Sequence, residues 1–241
     1  MQLLVYKCNS LLQLFVAEVE SLRSQQKNSS AWFEVLYADA KGDTAKIPWA
    51  KLTPHPYLQD WLTNHQPFAS QQKALVIGCG LGDDAEALAN LEFEVIAFDI
   101  SPTAMSDDKL LRIYTWCQER FPDSTVNYLV ADLLAIPSQW HQAFDFVFEC
   151  RNIQALPLNV RSSVISSVAS LVAPGGTLLL ITRVRDTEAE PSGPPWALSD
   201  LELKQFDNLG LEQVEKLVFL ESEQIDVKQV RIEYQLTSSE R

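Results

Sequence analysis

The stretch Ala74-Leu-Val-Ile-Gly-Cys-Gly-Leu-Gly-Asp-Asp84, with Phe93-Glu-Val-Ile-Ala-Phe-Asp99 after it, decides the fold. An apolar run ends in Gly78, Gly80 and Gly82. A helix-like segment follows, then a second apolar run that stops on the carboxylate of Asp99. The order strand, tight turn, helix, strand, acid is that of a nucleotide-binding unit, in which the turn lets the backbone approach a ligand and the acid meets a ribose.

The alternation continues downstream. Residues 74–77, 95–98, 126–130, 145–149 and 177–182 read as strands. Residues 84–90, 103–120, 158–172 and 198–206 read as helices, the last with Ser199 as N-cap. Strands alternating with helices predict a parallel sheet covered on both faces. The end differs: residues 210–220 and 227–236 are strand-like and joined by the short polar stretch 221–226, which predicts a hairpin with a reversed last strand. The expected fold is α/β: a doubly wound, Rossmann-like, seven-stranded, mostly parallel sheet with one antiparallel strand near its edge.

Residues 1–70 read as an N-terminal helical cover, and residues 71–241 as the ligand-binding domain. Leu11, Leu12, Phe15, Val16 and Val19 recur at helical spacing, and Tyr57, Leu58, Trp61 and Leu62 form a second short apolar face between prolines.

The net charge of −13 and pI near 4.6 exclude a nucleic-acid binder, which needs clustered Lys and Arg. The cysteines at 8, 79, 117 and 150 have no CxxC spacing, and three histidines are too few and too scattered for a zinc motif. No metal and no disulfide are expected, which suits a cytoplasmic protein. The apolar start is interrupted by Lys7, Glu18 and Glu20, so neither a signal peptide nor membrane association is expected.

The charges near the glycine turn bear on the ligand. Asp83 takes the place of the third glycine of the dehydrogenase fingerprint, and with Asp84 it would repel a pyrophosphate at the helix N-terminus. A ligand with a cationic or zwitterionic end tolerates both acids, which favours S-adenosylmethionine over NAD. Cys79, inside the turn, suits a small buried residue. Asp99, followed by Ile100, can accept both ribose hydroxyls, and Asp132 beside Leu133 can bond an exocyclic amine while the leucine packs an adenine face. Glu149, Cys150 and Arg151 close the fourth strand, where a doubly wound sheet meets its ligand. After the fifth strand, Arg183 starts a long charged loop that ends in Gly193-Pro-Pro-Trp196, a lid-like segment.

As a set, these motifs and the Ala173-Pro-Gly-Gly-Thr177 turn resemble class I S-adenosylmethionine-dependent methyltransferases. Most of that class carries an acid two residues before the first glycine, a place held here by Val76. The thiopurine methyltransferase family, with its relatives acting on thiols, thiocyanate and halides, also lacks that acid. Trp32-Phe-Glu-Val-Leu-Tyr37, Ile47-Pro-Trp49, Pro54-His-Pro-Tyr-Leu-Gln-Asp-Trp-Leu62, Gln154-Ala-Leu-Pro157 with Arg161, and Gly193-Pro-Pro-Trp196 are similar to that family in order. One departure stands out: the family commonly has an acid followed directly by Arg after the fourth strand, whereas Cys150 here separates Glu149 from Arg151.

The resemblance implies methyl transfer to a small-molecule acceptor, a thiol or related soft nucleophile. It implies S-adenosylmethionine held by Trp32, Gly78, Cys79, Gly80, Gly82, Asp84, Asp99, Ile100, Asp132, Leu133 and Glu149. Trp49, Arg183 and Trp196 would contact the acceptor, and Arg151 would act in catalysis, with Arg151 or Arg183 stabilising the acceptor's anion. A monomer, or a weak homodimer, is expected. Two rivals stay open: a cofactor-binding protein without turnover, and an NAD-dependent oxidoreductase.

Overall fold

In the computed structural model the described residues are 43–65, 71–99, 117–222 and 225–237, together with positions 35, 39 and 40. The apolar runs form seven strands: β1 (Lys73–Ile77), β2 (Glu94–Asp99), β3 (Asn127–Val130), β4 (Phe144–Cys150), β5 (Val172–Arg183), β6 (Leu211–Ser222) and β7 (Ile225–Leu236). They make one sheet in the order β3-β2-β1-β4-β5-β7-β6. β1 to β5 pair in parallel, while β7 runs antiparallel to both β5 and β6. The reversed strand therefore lies one place in from the edge, as the hairpin predicts.

Among the described residues four α-helices accompany the sheet: α1 (Pro56–His65), α2 (Asp83–Ala89), α3 (Leu158–Leu171) and α4 (Asp200–Asn208). Their apolar stripes explain the two layers. On one face Leu75, Ile77, Val147, Leu178 and Leu180 pack with Val164, Ile165 and Val168 of α3 and Leu203 and Phe206 of α4. On the other, Ala74, Val76, Phe146, Phe148, Leu179 and Ile181 pack with Leu58, Trp61 and Leu62 of α1 and Ala85 and Leu88 of α2. Successive residues of β1 after the exposed Lys73 thus face opposite layers, both buried, which is why Ala74–Ile77 is apolar throughout.

Two boundaries differ from the sequence reading. β5 starts at Val172 instead of residue 177, because Val172 pairs with Phe144 before a register irregularity shifts the strand. α4 starts at Asp200, two residues late. Leu198 is held in a parallel bridge to Val184, and Ser199 caps the helix with Glu202 in a reciprocal capping box. Of the helix expected at 103–120 only residues 117–120 are described, and they are helical. The amphipathic pattern at Leu11–Val19 lies outside the described residues.

Candidate active site at the carboxyl ends of the strands

β1 connects outward to β2 on one side, whereas β4 lies on its other side and leads to β5. The crevice between the carboxyl ends of β1 and β4 is therefore the topological switch point, where open α/β sheets take their ligands. Ile77 is flanked there by Phe98 on β2 and Glu149 on β4.

The glycine turn leaves β1 at this point with left-handed backbone at all three glycines. The space that a Cβ would fill is taken in two cases by side chains of the chain itself. On Gly78 a Cβ would sit 1.8 Å from Oδ1 of Asn152, and on Gly82 2.4 Å from the Tyr128 hydroxyl. Those two glycines accommodate protein neighbours as well as any ligand. Asn152 in turn donates to the carbonyls of Ile77 (2.8 Å) and Cys150 (3.2 Å), stitching the ends of β1 and β4 together. Asp99 accepts from the Gly80 N–H (2.9 Å), and the Cys79 N–H donates to the Phe98 carbonyl (3.0 Å). The end of β2 and the turn are thereby fixed as one piece.

The acids at the start of α2 part company. Asp83 is gripped by both guanidinium nitrogens of Arg120, at 2.6 and 2.8 Å, so its charge is balanced within the fold. Asp83, expected to face a ligand together with Asp84, faces Arg120 in the fold instead. Asp84 accepts the His55 backbone N–H at 2.6 Å, tying the start of α1 to the glycine turn. Burial pushes its carboxyl up to about 6, against the opposing pull of that hydrogen bond.

Glu149 is wholly buried. Its Oε1 accepts the N–H groups of Asn152 (2.7 Å) and Ile153 (3.0 Å), while Oε2 has no hydrogen-bond partner. Burial raises its carboxyl to about 7, and the two N–H groups lower it only in part. Burial also pushes the Cys150 thiol well up, so it stays protonated and inert.

Arg151 follows in a left-handed conformation (φ 66°), with its N–H on the Ile181 carbonyl (2.8 Å) and Nη2 on Oε1 of Gln229 (2.6 Å). Its charge reaches both Asp84 and His55. Burial, aided by that charge, depresses the His55 imidazole to about 4, so the ring is neutral at physiological pH. Its Nδ1 accepts the Tyr57 N–H at 3.3 Å, so the ring hydrogen is on Nε2.

The loop after β5 is pinned by buried charge. Glu202 binds Arg161 through Oε1 and Arg185 through Oε2, each at 2.8 Å. Burial pushes Glu202 up, but the Ser199 N–H and the two arginines outweigh it and leave the carboxyl below its usual range. Arg161 also donates to the Trp196 carbonyl (3.0 Å), and the Trp196 N–H donates to the Gln154 carbonyl (2.7 Å). Gln154 completes the frame by accepting the Arg183 N–H at 2.6 Å.

The structure thus brings Gly78, Cys79, Gly80, Gly82, Asp84, Asp99, Glu149 and Arg151 together at the switch point. Asp132 is exposed past β3 and accepts the Leu134 N–H (2.8 Å), with Leu133 buried beside it. Trp49 lies in a turn with its ring partly exposed. Trp32 and Ile100 fall outside the described residues. Sequence reasoning missed His55, Arg120, Asn152 and Gln154. His55 and Gln154 lie in stretches similar to the family, Pro54–Leu62 and Gln154–Pro157, but without an assigned role; Arg120 and Asn152 act across long sequence separations.

The fold and crevice define a doubly wound nucleotide-type α/β protein, and solved structures share that architecture. One is the 1,6-didemethyltoxoflavin N1-methyltransferase of Burkholderia thailandensis, bound to 1,6-didemethyltoxoflavin and S-adenosylhomocysteine. The match has a TM-score of 0.63 and 12% identity and covers 88% of this chain and 92% of that one. The N-methyltransferase NodS of Bradyrhizobium japonicum matches with a TM-score of 0.59 and 16% identity over 83% and 98% of the two chains. The [4+2]-cyclase SpnF also matches, with a TM-score of 0.60 and 13% identity over 76% and 81%. These likenesses establish the fold alone.

The family model of thiopurine S-methyltransferase matches residues 39–238, and the chain belongs to that family. A thiopurine S-methyltransferase of Vibrio atlanticus is 27% identical over 53% of this chain and 60% of its own length. A probable thiol methyltransferase 2 of Arabidopsis thaliana is 28% identical over 80% of this chain and 78% of its own. The chain spans about 60% of the length of the Vibrio relatives it matches.

Proposed function

We propose that this chain transfers a methyl group from S-adenosylmethionine to a small soft nucleophile, with a thiol as the acceptor class. The carrying observation is the pair of acids flanking the glycine turn: Asp99, locked to Gly80, and the half-buried Asp84 at the start of α2. A carboxylate beside each end of a backbone-lined turn suits a ligand with ribose hydroxyls at one end and positive charge at the other. A pyrophosphate would meet Asp84 instead.

The residues present fit this cofactor. Asp99 would take the ribose hydroxyls, Asp84 and the turn of Gly78, Gly80 and Gly82 the cationic end, and Asp132 with Leu133 the base. Trp32, Cys79 and Ile100 would line the same cradle. The unpartnered Oε2 of Glu149 offers a further polar contact from the β4 side. When bound, the cofactor supplies an activated methyl on a sulfonium, so the protein needs to align an acceptor and exclude water. Arg151, braced by Gln229, would hold positive charge where the acceptor arrives and favour its thiolate, the proton leaving to solvent. Trp49, Arg183 and Trp196 would line the acceptor side. Cys150, held as a neutral thiol, does not compete for the methyl group.

Residues 1–70 would act as a cover whose described part, α1, is latched by Asp84, and residues 71–241 as the cofactor domain. No helix among the described residues is long and apolar enough to cross a membrane. A cytoplasmic monomer is proposed.

A panel of thiols, thiopurines and halides, read out as S-adenosylhomocysteine production, tests the proposal. Turnover with a thiol is expected, and Arg151→Met should lower kcat/KM on the order of 10- to 100-fold at pH below the thiol pKa. Calorimetric binding of NAD without S-adenosylhomocysteine would sink it. Tight S-adenosylhomocysteine binding with no transfer to any acceptor would favour a binding protein.

A further inference from the structure

Away from the switch point, α1 crosses the β6–β7 hairpin and leaves an unusual group of side chains beneath its C-terminus. His65, Glu215 and Glu233 each offer one ligand atom, and these atoms lie within 4.8 Å of one another. Glu215 on β6 and Glu233 on β7 occupy directly paired positions in the antiparallel register. Like charges placed opposite one another across two strands repel. A register irregularity between Gln213 and Glu215 re-aims β6 at this point.

The imidazole is set by a partner outside the group. His65 Nδ1 lies 2.9 Å from the Trp61 carbonyl, which can only accept, so Nδ1 carries a hydrogen. Nε2 then points at Oε2 of Glu233, 3.3 Å away. A backbone carbonyl fixing one ring nitrogen so that the other faces carboxylates is the usual outer-shell arrangement of a metal-ligating histidine. Trp61 also donates its indole N–H to Oε2 of Glu233 (2.7 Å) and stacks on the His65 ring at 4.6 Å.

Charge makes the same case. The cation facing the group is Arg231, which is shared between Asp60 (2.6 Å) and Glu215 (3.1 Å). Three carboxylates against one guanidinium leave two negative charges. An imidazolium would balance only one of them, and a divalent cation balances both. The donor set of one imidazole nitrogen and two carboxylate oxygens suits zinc or a neighbouring divalent transition ion.

We propose that His65, Glu215 and Glu233 form a divalent transition-metal site that fastens the C-terminus of α1 to the β6–β7 hairpin. The histidine and the two glutamates lie far apart in sequence, outside any compact zinc motif. The site is independent of the proposed methyl transfer.

The test uses the full chain, stripped with chelator and titrated with ZnCl2 by calorimetry. One equivalent is expected to bind with a Kd on the order of micromolar and, in excess, to raise Tm by about 5 °C. His65→Asn and Glu233→Gln, each verified as folded by circular dichroism, should each weaken binding at least tenfold, roughly the range of altered metal shells. Glu215→Gln serves if either variant is unfolded. Unchanged affinity in the variants, an adventitious ion held only above about 1 mM, or a thiolate-to-metal band with Co2+ that places the ion on the cysteines, would each overturn the site.

Discussion

The two banks of the crevice are built by different means. The bank formed by β1, β2 and the glycine turn is held by bonds to the backbone of the turn: Gly80 to Asp99 and Cys79 to Phe98. The bank formed by the ends of β4 and β5 is held by charged side chains, with Arg161, Arg185 and Glu202 pinning the loop that carries Trp196. The first bank is backbone geometry that few side chains can disturb. The second is an ion network in a partly buried place, where removing one member strands another.

That contrast orders the expected effects. Arg161→Ala should be the most damaging, because it leaves Glu202 short of a buried partner; a loss of about 3–5 kcal/mol in denaturant unfolding is expected. A loss below about 1 kcal/mol would mean that the far bank is no more charge-dependent than an exposed surface pair. Asp99→Ala should come next. It removes the clamp on Gly80 and, on the proposed reading, the acceptor of two ribose hydroxyls, so S-adenosylhomocysteine affinity should fall about 100-fold by calorimetry. Near-normal affinity would refute the ribose assignment.

Glu149 stands at the end of β4 beside Ile77 of β1, and its effect is visible in pH. Its carboxyl holds a proton to about pH 7 in the fold, but the unfolded chain releases it near 4.5. Between those values the native state binds more protons, so stability falls as pH rises and levels off above 7. Asp84, raised from 3.8 to about 6, acts with the same sign at lower pH. Glu149→Gln should remove most of its share, making the variant more stable than the parent at pH 8 by on the order of 2–3 kcal/mol. A parallel pair of pH–stability curves would contradict this.

Gly82→Ala probes the first bank. Its left-handed backbone and the Tyr128 hydroxyl 2.4 Å from the new Cβ should cost about 1–2 kcal/mol by thermal unfolding. Tyr128→Phe in the same chain should recover part of it. The smallest effect belongs to Lys228→Met. Its ion pair with Asp186 is exposed, and removing it should change stability by less than about 0.5 kcal/mol.

The same division explains what could be read from the sequence. β1, the glycine turn, β2 and Asp99 follow one another in the chain, so their spacing carries both fold and role. The reversed strand was legible because a hairpin is also local. The β4–β5 bank was legible only as stretches similar to the family, Gln154–Pro157 and Gly193–Trp196; their spacing does not announce that Gln154 accepts the Arg183 N–H and holds the Trp196 N–H. Asp83 shows the opposite failure: its position next to Asp84 implied a shared role, but Arg120, far along the chain, takes it out of the site. Local spacing reports backbone geometry well and charge pairing poorly.

The position of β7 has a consequence during synthesis. It is the last of the strands to leave the ribosome, yet it lies between β5 and β6. Until it arrives, β6 has no neighbour to join, and β5 presents an open edge to solvent. Nascent chains stalled before residue 225 should therefore be sticky and dependent on chaperones, while chains released a dozen residues later can close the sheet.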